Sequence, residues 1–145
     1  MMQSTDAGIG THTQFRTKLE QEIGEERTAD FYQDWLDNHM TKADLDSMKA
    51  WGFNAIRPAL HYKWFTLPIQ DEPVSGQHTW VDAGFEKLDE LMGWAAANQM
   101  YVMFDMHGAP GGQGKNSNIN DYDETLPSLF EDEANKDKLE ALWIK

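Results

Sequence analysis

Residues 100–114, MYVMFDMHGAPGGQG, constrain this chain more than any other stretch. Five apolar residues in a row, Met100 to Phe104, suit a short strand buried on both faces, the kind found in a parallel sheet. Side chains alternate along a strand, so Val102, Phe104 and Met106 share one face while Met103, Asp105 and His107 share the other. Gly108 and Pro110 end the strand just after two polar groups. Polar side chains at the C-terminal end of a parallel strand are where α/β enzymes hold their chemistry.

A second strand is expected at residues 53–57, FNAIR, which Pro58 keeps from extending as a central strand. Alternation places Phe53, Ala55 and Arg57 on one face, with Arg57 at the C-terminal rim. Helical periodicity marks residues 12–23, with Gly24 as the C-cap, and residues 25–38, where Phe31, Trp35 and Leu36 form the stripe. Residues 41–52 open with Thr41 and Asp44 in a close relative of the capping box, and Leu45 and Met48 point inward. The spacing of Phe85, Leu88, Met92 and Ala95 predicts a helix over 79–98, and Leu139, Leu142 and Trp143 predict another over 131–145. Strands alternating with helices of this length imply an α/β fold with neighbouring parallel strands. Two strands cannot close a core, so residues 12–145 read as an incomplete domain and residues 1–11 as a linker or disordered segment.

Composition narrows the function. Twelve basic against 25 acidic residues give a net charge of −13, which repels a phosphate backbone and an anionic bilayer, so neither nucleic acid nor membrane is an expected partner. No apolar run approaches the roughly 18 residues of a membrane span. The absence of cysteine removes disulfides, thiolate metal sites and a cysteine nucleophile. No signal peptide is legible, which leaves the compartment open.

Each polar group at the strand ends has two readings. Arg57 either pairs with a structural carboxylate or presents a guanidinium fork to a catalytic or substrate oxygen. His107 is either satisfied by its own loop or paired with Asp105 for acid–base or metal chemistry. The glycine loop is not a phosphate cradle, because Ala109 stands where the first glycine belongs and Asn116 where a Ser or Thr would hold magnesium. It suits close approach of backbone to a ligand, with Gln113, Asn116 and Asn118 supplying donors and acceptors for a hydroxyl-rich molecule. Residues 61–77 read as an aromatic loop. Tyr62 and Trp64 in it either pack beneath a neighbouring loop or offer flat faces to sugar rings. Trp35, Trp51, Trp80, Trp94 and Trp143 are assigned to packing. The loop at 108–125 is long enough to be a lid or wall.

Two linked motifs now carry a resemblance. WGFNAIR at 51–57 is similar to the second barrel strand of glycoside hydrolase family 5, the cellulase family. VMFDMHGAPGGQ at 102–113, with Asn120-Asp-Tyr122, resembles that family's third strand and the loop after it. The resemblance implies a (β/α)8 TIM barrel, of which this chain holds about strands two and three with their flanking helices. It implies a retaining endo-β-glucanase, cellulase or β-1,3-glucanase activity in the parent protein, without cofactor or metal. Both catalytic glutamates would lie beyond Lys145, leaving the chain alone inactive. Arg57 would hydrogen-bond the nucleophile and His107 the sugar being cleaved, while His61, Tyr62, Trp64, Gln113 and Asn116 would bind a β-glucan or oligosaccharide. Pro58 departs from the family, which more often has an aliphatic residue there and proline one step later. The parent is expected to be secreted or periplasmic. The competing expectations are a non-catalytic carbohydrate-binding barrel fragment, and a metal-dependent hydrolase using Asp105, His107 and His61.

Overall fold

A computed structural model describes residues 8–115 and 117–145. Among these, the regular elements are α1 (His12–Ile23), α2 (Glu25–Asn38), α3 (Lys42–Ala50), β1 (Ala55–Ile56), β2 (Ala59–His61), α4 (Asp82–Ala97), β3 (Tyr101–Val102), β4 (Asp105–Gly108), α5 (Ser117–Asn120) and α6 (Glu133–Ile144). They divide into two compact units, Met1–Arg57 with Leu88–Met103, and Pro58–Lys87 with Phe104–Lys145. Most of the proposed N-terminal linker, residues 1–7, lies outside the described residues. Thr11, assigned to that linker, is buried and caps α1: its hydroxyl accepts from the Gln14 amide at 3.0 Å.

In the first unit α1 ends at Gly24, whose φ of +86° turns the chain into α2. The two helices meet through aromatic edges, His12 on Tyr32 at 5.5 Å and Phe15 on Phe31 at 6.4 Å between ring centres. The stripe expected on α2 is rotated. Thr28 and Tyr32 are its buried residues, and the Thr28 hydroxyl is satisfied by the Gly24 carbonyl at 2.8 Å. Trp35 instead lies outward, stacked on His39 with ring centres 4.5 Å apart.

The core of this unit is Leu45 from α3, Ile56 from β1, Leu91 and Ala95 from α4, and Met100, with Met48, Leu88, Trp94 and Val102 packed around it. Leu91 takes the inward place expected of Met92, which is exposed. β1 pairs in parallel with β3, Ala55 opposite Tyr101 and Ile56 opposite Val102. Ile56 and Val102 face the helices. The other face is open: Tyr101 is 78% and Met103 64% exposed, so the expectation of a strand buried on both faces fails. A two-stranded pair with helices on one side has cover on that side alone. Trp51 is also corrected, being 74% exposed where Gly52 (φ +94°) turns the chain out of α3.

In the second unit β2 runs parallel to β4, with Ala59 opposite Asp105 and Leu60 opposite Met106. The register then slips, and His61 lies opposite Gly108, leaving His107 as an extra residue in the ladder. The expected aromatic loop begins later than residue 61 and is structured. Tyr62–Trp64 form a 3-10 turn, Ile69–Asp71 another, and Thr66 bridges Trp80 antiparallel. That bridge holds residues 79–81 extended, which is why α4 starts at Asp82 and not at Thr79. Gly84 of α4 lies against the Trp64 carbonyl, where a Cβ would collide. Phe65, Phe85 and Trp80 pack edge to face beside it.

The 108–125 loop is likewise shorter than expected, since Gly108 ends β4 and Ser117–Asn120 is helical. α6 buries Asn135, Lys138 and Leu142, while Trp143, expected inside, is exposed. Lys138 is 1% exposed yet charged-group satisfied: its Nζ meets the Glu72 carboxylate and the Thr66 hydroxyl, the latter at 3.2 Å.

Candidate active site

The slip in β4 places the site's central group. An extra residue in one strand of a ladder bends that strand and re-aims a side chain, a device common beside active sites. Here the extra residue is His107. Its Nδ1 lies 3.0 Å from Asp105 Oδ2, and its side chain remains 45% exposed. A carboxylate can only accept, so Nδ1 carries the hydrogen, and Nε2 is an acceptor in neutral histidine and a donor once protonated. Of the two readings of His107, the structure therefore forms the Asp105 pair.

The other residues singled out in the sequence fall in different settings. His61 ends β2, and its ring lies against Gly108, where any side chain would strike it. Its Nδ1 accepts from the Lys63 amide at 3.3 Å, and its ring stacks on Tyr62 with centres 5.2 Å apart. Tyr62 is only 5% exposed, so its ring is packed and not an open platform. Burial, with the nearby Asp121 and Asp71 carboxylates, pushes its hydroxyl well above the ordinary tyrosine range. Trp64 is half-buried. Gln113 turns its amide onto the backbone of the loop that carries it. Asn118 is exposed on α5, and Asn116 lies outside the described residues. Arg57 follows β1 in the first unit and is exposed, whereas His61, Tyr62, Trp64, His107 and Gln113 all belong to the second.

The loops of the second unit are held by groups that sequence reasoning passed over. Lys63 pairs with Asp121 at 2.6 Å, and Asp121, whose side chain is buried, adopts a φ of +57°. Asn120 donates to the Gly114 carbonyl at 2.8 Å and accepts from the Tyr122 amide at 3.2 Å. Asn135 of α6 reaches the Pro127 carbonyl at 3.2 Å. Glu72 binds Lys138 and takes two hydrogen bonds from Thr79, from its amide at 3.0 Å and its hydroxyl at 2.7 Å. Burial alone would raise the Glu72 carboxyl; the bonds from Lys138 and Thr79 and the Lys138 charge outweigh it and hold it at about 2. The metal alternative has no support in the geometry: among the described residues no three His, Asp or Glu side chains gather where an ion could bind.

Residues 11–145 match the family described as Cellulase (glycosyl hydrolase family 5). The chain belongs to glycosyl hydrolase family 5. Relatives of this family-5 chain include a "Beta-xylosidase" of Phanerodontia chrysosporium, 27% identical over 134 residues, covering 92% of this chain and 27% of that protein. A "Probable glucan endo-1,6-beta-glucosidase B" of Aspergillus flavus is 30% identical over 129 residues, 88% of this chain and 31% of that one. A "Glucan 1,3-beta-glucosidase" of Candida oleophila is 33% identical over 109 residues, 74% of this chain and 23% of that one. The chain thus spans less than a third of the length of each of these relatives. The resemblance drawn from the two strand motifs is to the family that residues 11–145 match, and the relatives named are glycoside hydrolases.

Proposed function

We propose that this family-5 chain is part of a retaining β-glucan hydrolase, contributing the segments that resemble strands two and three of a (β/α)8 barrel. The observation that carries the reading is the Asp105–His107 pair, raised on an extra residue at the C-terminal end of a parallel strand. That end is where barrel enzymes place their chemistry. Asp105 holds Nδ1 of the half-exposed imidazole, which leaves Nε2 as the nitrogen to bond a hydroxyl of the sugar at the point of cleavage. Arg57, after β1, is assigned a second supporting role as a guanidinium donor to a catalytic carboxylate.

Retaining hydrolysis needs two carboxyl groups about 5–5.5 Å apart, one a nucleophile and one alternating between acid and base. We assign both to polypeptide outside residues 1–145, and the linkage is left open, since the relatives' names include 1,3- and 1,6-glucans and xylosides. The purified chain is expected to release no reducing sugar from soluble β-1,3-, β-1,4- or β-1,6-glucan. A longer polypeptide carrying it is expected to hydrolyse one of them with retained anomeric configuration. There His107→Ala should lower kcat/KM by about 2- to 10-fold, the worth of one neutral hydrogen bond. Turnover by the 145 residues alone would place the carboxylate pair within them. A longer protein that binds glucan without cleaving it would replace the enzyme reading with a carbohydrate-binding one.

A further inference from the structure

We infer that Gln113 is a positioning residue for the Asp105–His107 pair and not a ligand for sugar. Its amide closes the turn between the strand end and the glycine loop. Nε2 donates to the His107 carbonyl at 2.5 Å, and Oε1 accepts from the Ala109 amide at 3.0 Å. A primary amide has one oxygen and two N–H groups, so the turn occupies the oxygen and one donor.

The carbonyl so held belongs to the one residue of β4 that has no opposite number in β2, because the register passes from Met106 to Gly108. The ladder is interrupted at this residue, and the Gln113 side chain supplies a hydrogen bond to its carbonyl from the loop side. Tilting that peptide swings the imidazole about Cα, and a hydrogen bond of 3.0 Å to Asp105 weakens steeply once its angle falls. The loop behind Gln113 is itself anchored: Gly112 donates to Ala109 at 2.9 Å, Leu129 donates to Gly112 at 2.9 Å, and Asn120 holds Gly114. Gly111 (φ +73°) lies against Asn135, so the turn has little room to relax. One amide thus transmits a fixed frame to the exposed histidine.

The inference stands apart from the glucanase reading except in its effect on turnover, so its test reads the imidazole directly. In 15N-labelled chain at pH 8, His107 is expected to hold a single Nδ1–H tautomer. Gln113→Met, which removes both bonds, is expected to give mixed tautomers. Gln113→Glu, which keeps an acceptor for Ala109 but sets an oxygen against the His107 carbonyl, should do the same. An unchanged single tautomer in both folded variants overturns the inference. Should neither variant fold, the wild-type chain decides. The Nε2 proton of Gln113 is expected to exchange with solvent on the order of tenfold more slowly than a free glutamine amide, and exchange at the free rate overturns the inference. Titration with β-1,3- and β-1,6-linked glucotrioses separates the two roles. A Gln113 side-chain resonance that shifts more than the surrounding backbone amides marks a sugar ligand and refutes the positioning role.

Discussion

Lys138→Met tests the buried polar pair that ties α6 to the loop carrying Glu72. Methionine keeps the apolar stem and removes the ammonium, leaving the Glu72 carboxylate without its charged partner. Removing one partner of a buried ion pair costs about 3–5 kcal/mol. Thr79 continues to donate from its amide and hydroxyl, which places the expectation near 3 kcal/mol. The Glu72 carboxyl is held at about 2 against an ordinary 4.5 by Lys138 and Thr79 together, which links its ionisation to stability. Because the folded value is the lower one, this stability is fully present above pH 4.5 and is lost as pH falls from there towards 2. Urea unfolding followed by tryptophan fluorescence at pH 7 measures the loss, equivalent to roughly 6–12 °C in Tm for a chain of this size. A double-mutant cycle with Glu72→Gln should give a coupling of about 1–3 kcal/mol. Coupling below about 0.5 kcal/mol, or a Glu72→Gln variant that loses stability as steeply as the wild type between pH 4.5 and 2, would refute the reasoning.

Leu45→Ala empties the centre of the first unit's core and should cost about 3 kcal/mol by urea unfolding, with neighbours too well packed to collapse fully. Thr41→Ala removes the capping box at the start of α3, where the Thr41 amide and hydroxyl also bond Asp44 at 2.7 and 2.8 Å, and should lower stability by about 1 kcal/mol. Gly111→Ala forces a left-handed φ on alanine and drives its Cβ into Asn135, for an expected loss of about 1–3 kcal/mol. Gly76→Ala, at a φ of +78° with open space around it, is the control; equal losses in the two would show that the Asn135 contact does not matter.

Local rules written in the sequence determined a good part of this molecule. Short-range periodicity and caps located α1, α2 and α3 almost to the residue, because the Thr41–Asp44 box and the glycine at position 24 act within four residues of themselves. The motif pair at 51–57 and 102–113 pointed to the family by resemblance, confirmed by the match over residues 11–145. The parallel pairing followed from helices alternating with strands. Tertiary structure alone decided which faces are buried. Lys138 and Asn135 are inside because Glu72 and the Pro127 carbonyl, more than seven positions away in the chain or much further, are there to meet them. Trp51, Tyr101 and Trp143 are outside because no element of the described residues covers them, although their hydrophobicity argued for the interior. The register slip that singles out His107, and the amide of Gln113 that holds it, are likewise invisible in one dimension. Alternation along a strand assumes an unbroken ladder, and the position of a bulge is settled by the neighbouring strand and by what packs against it.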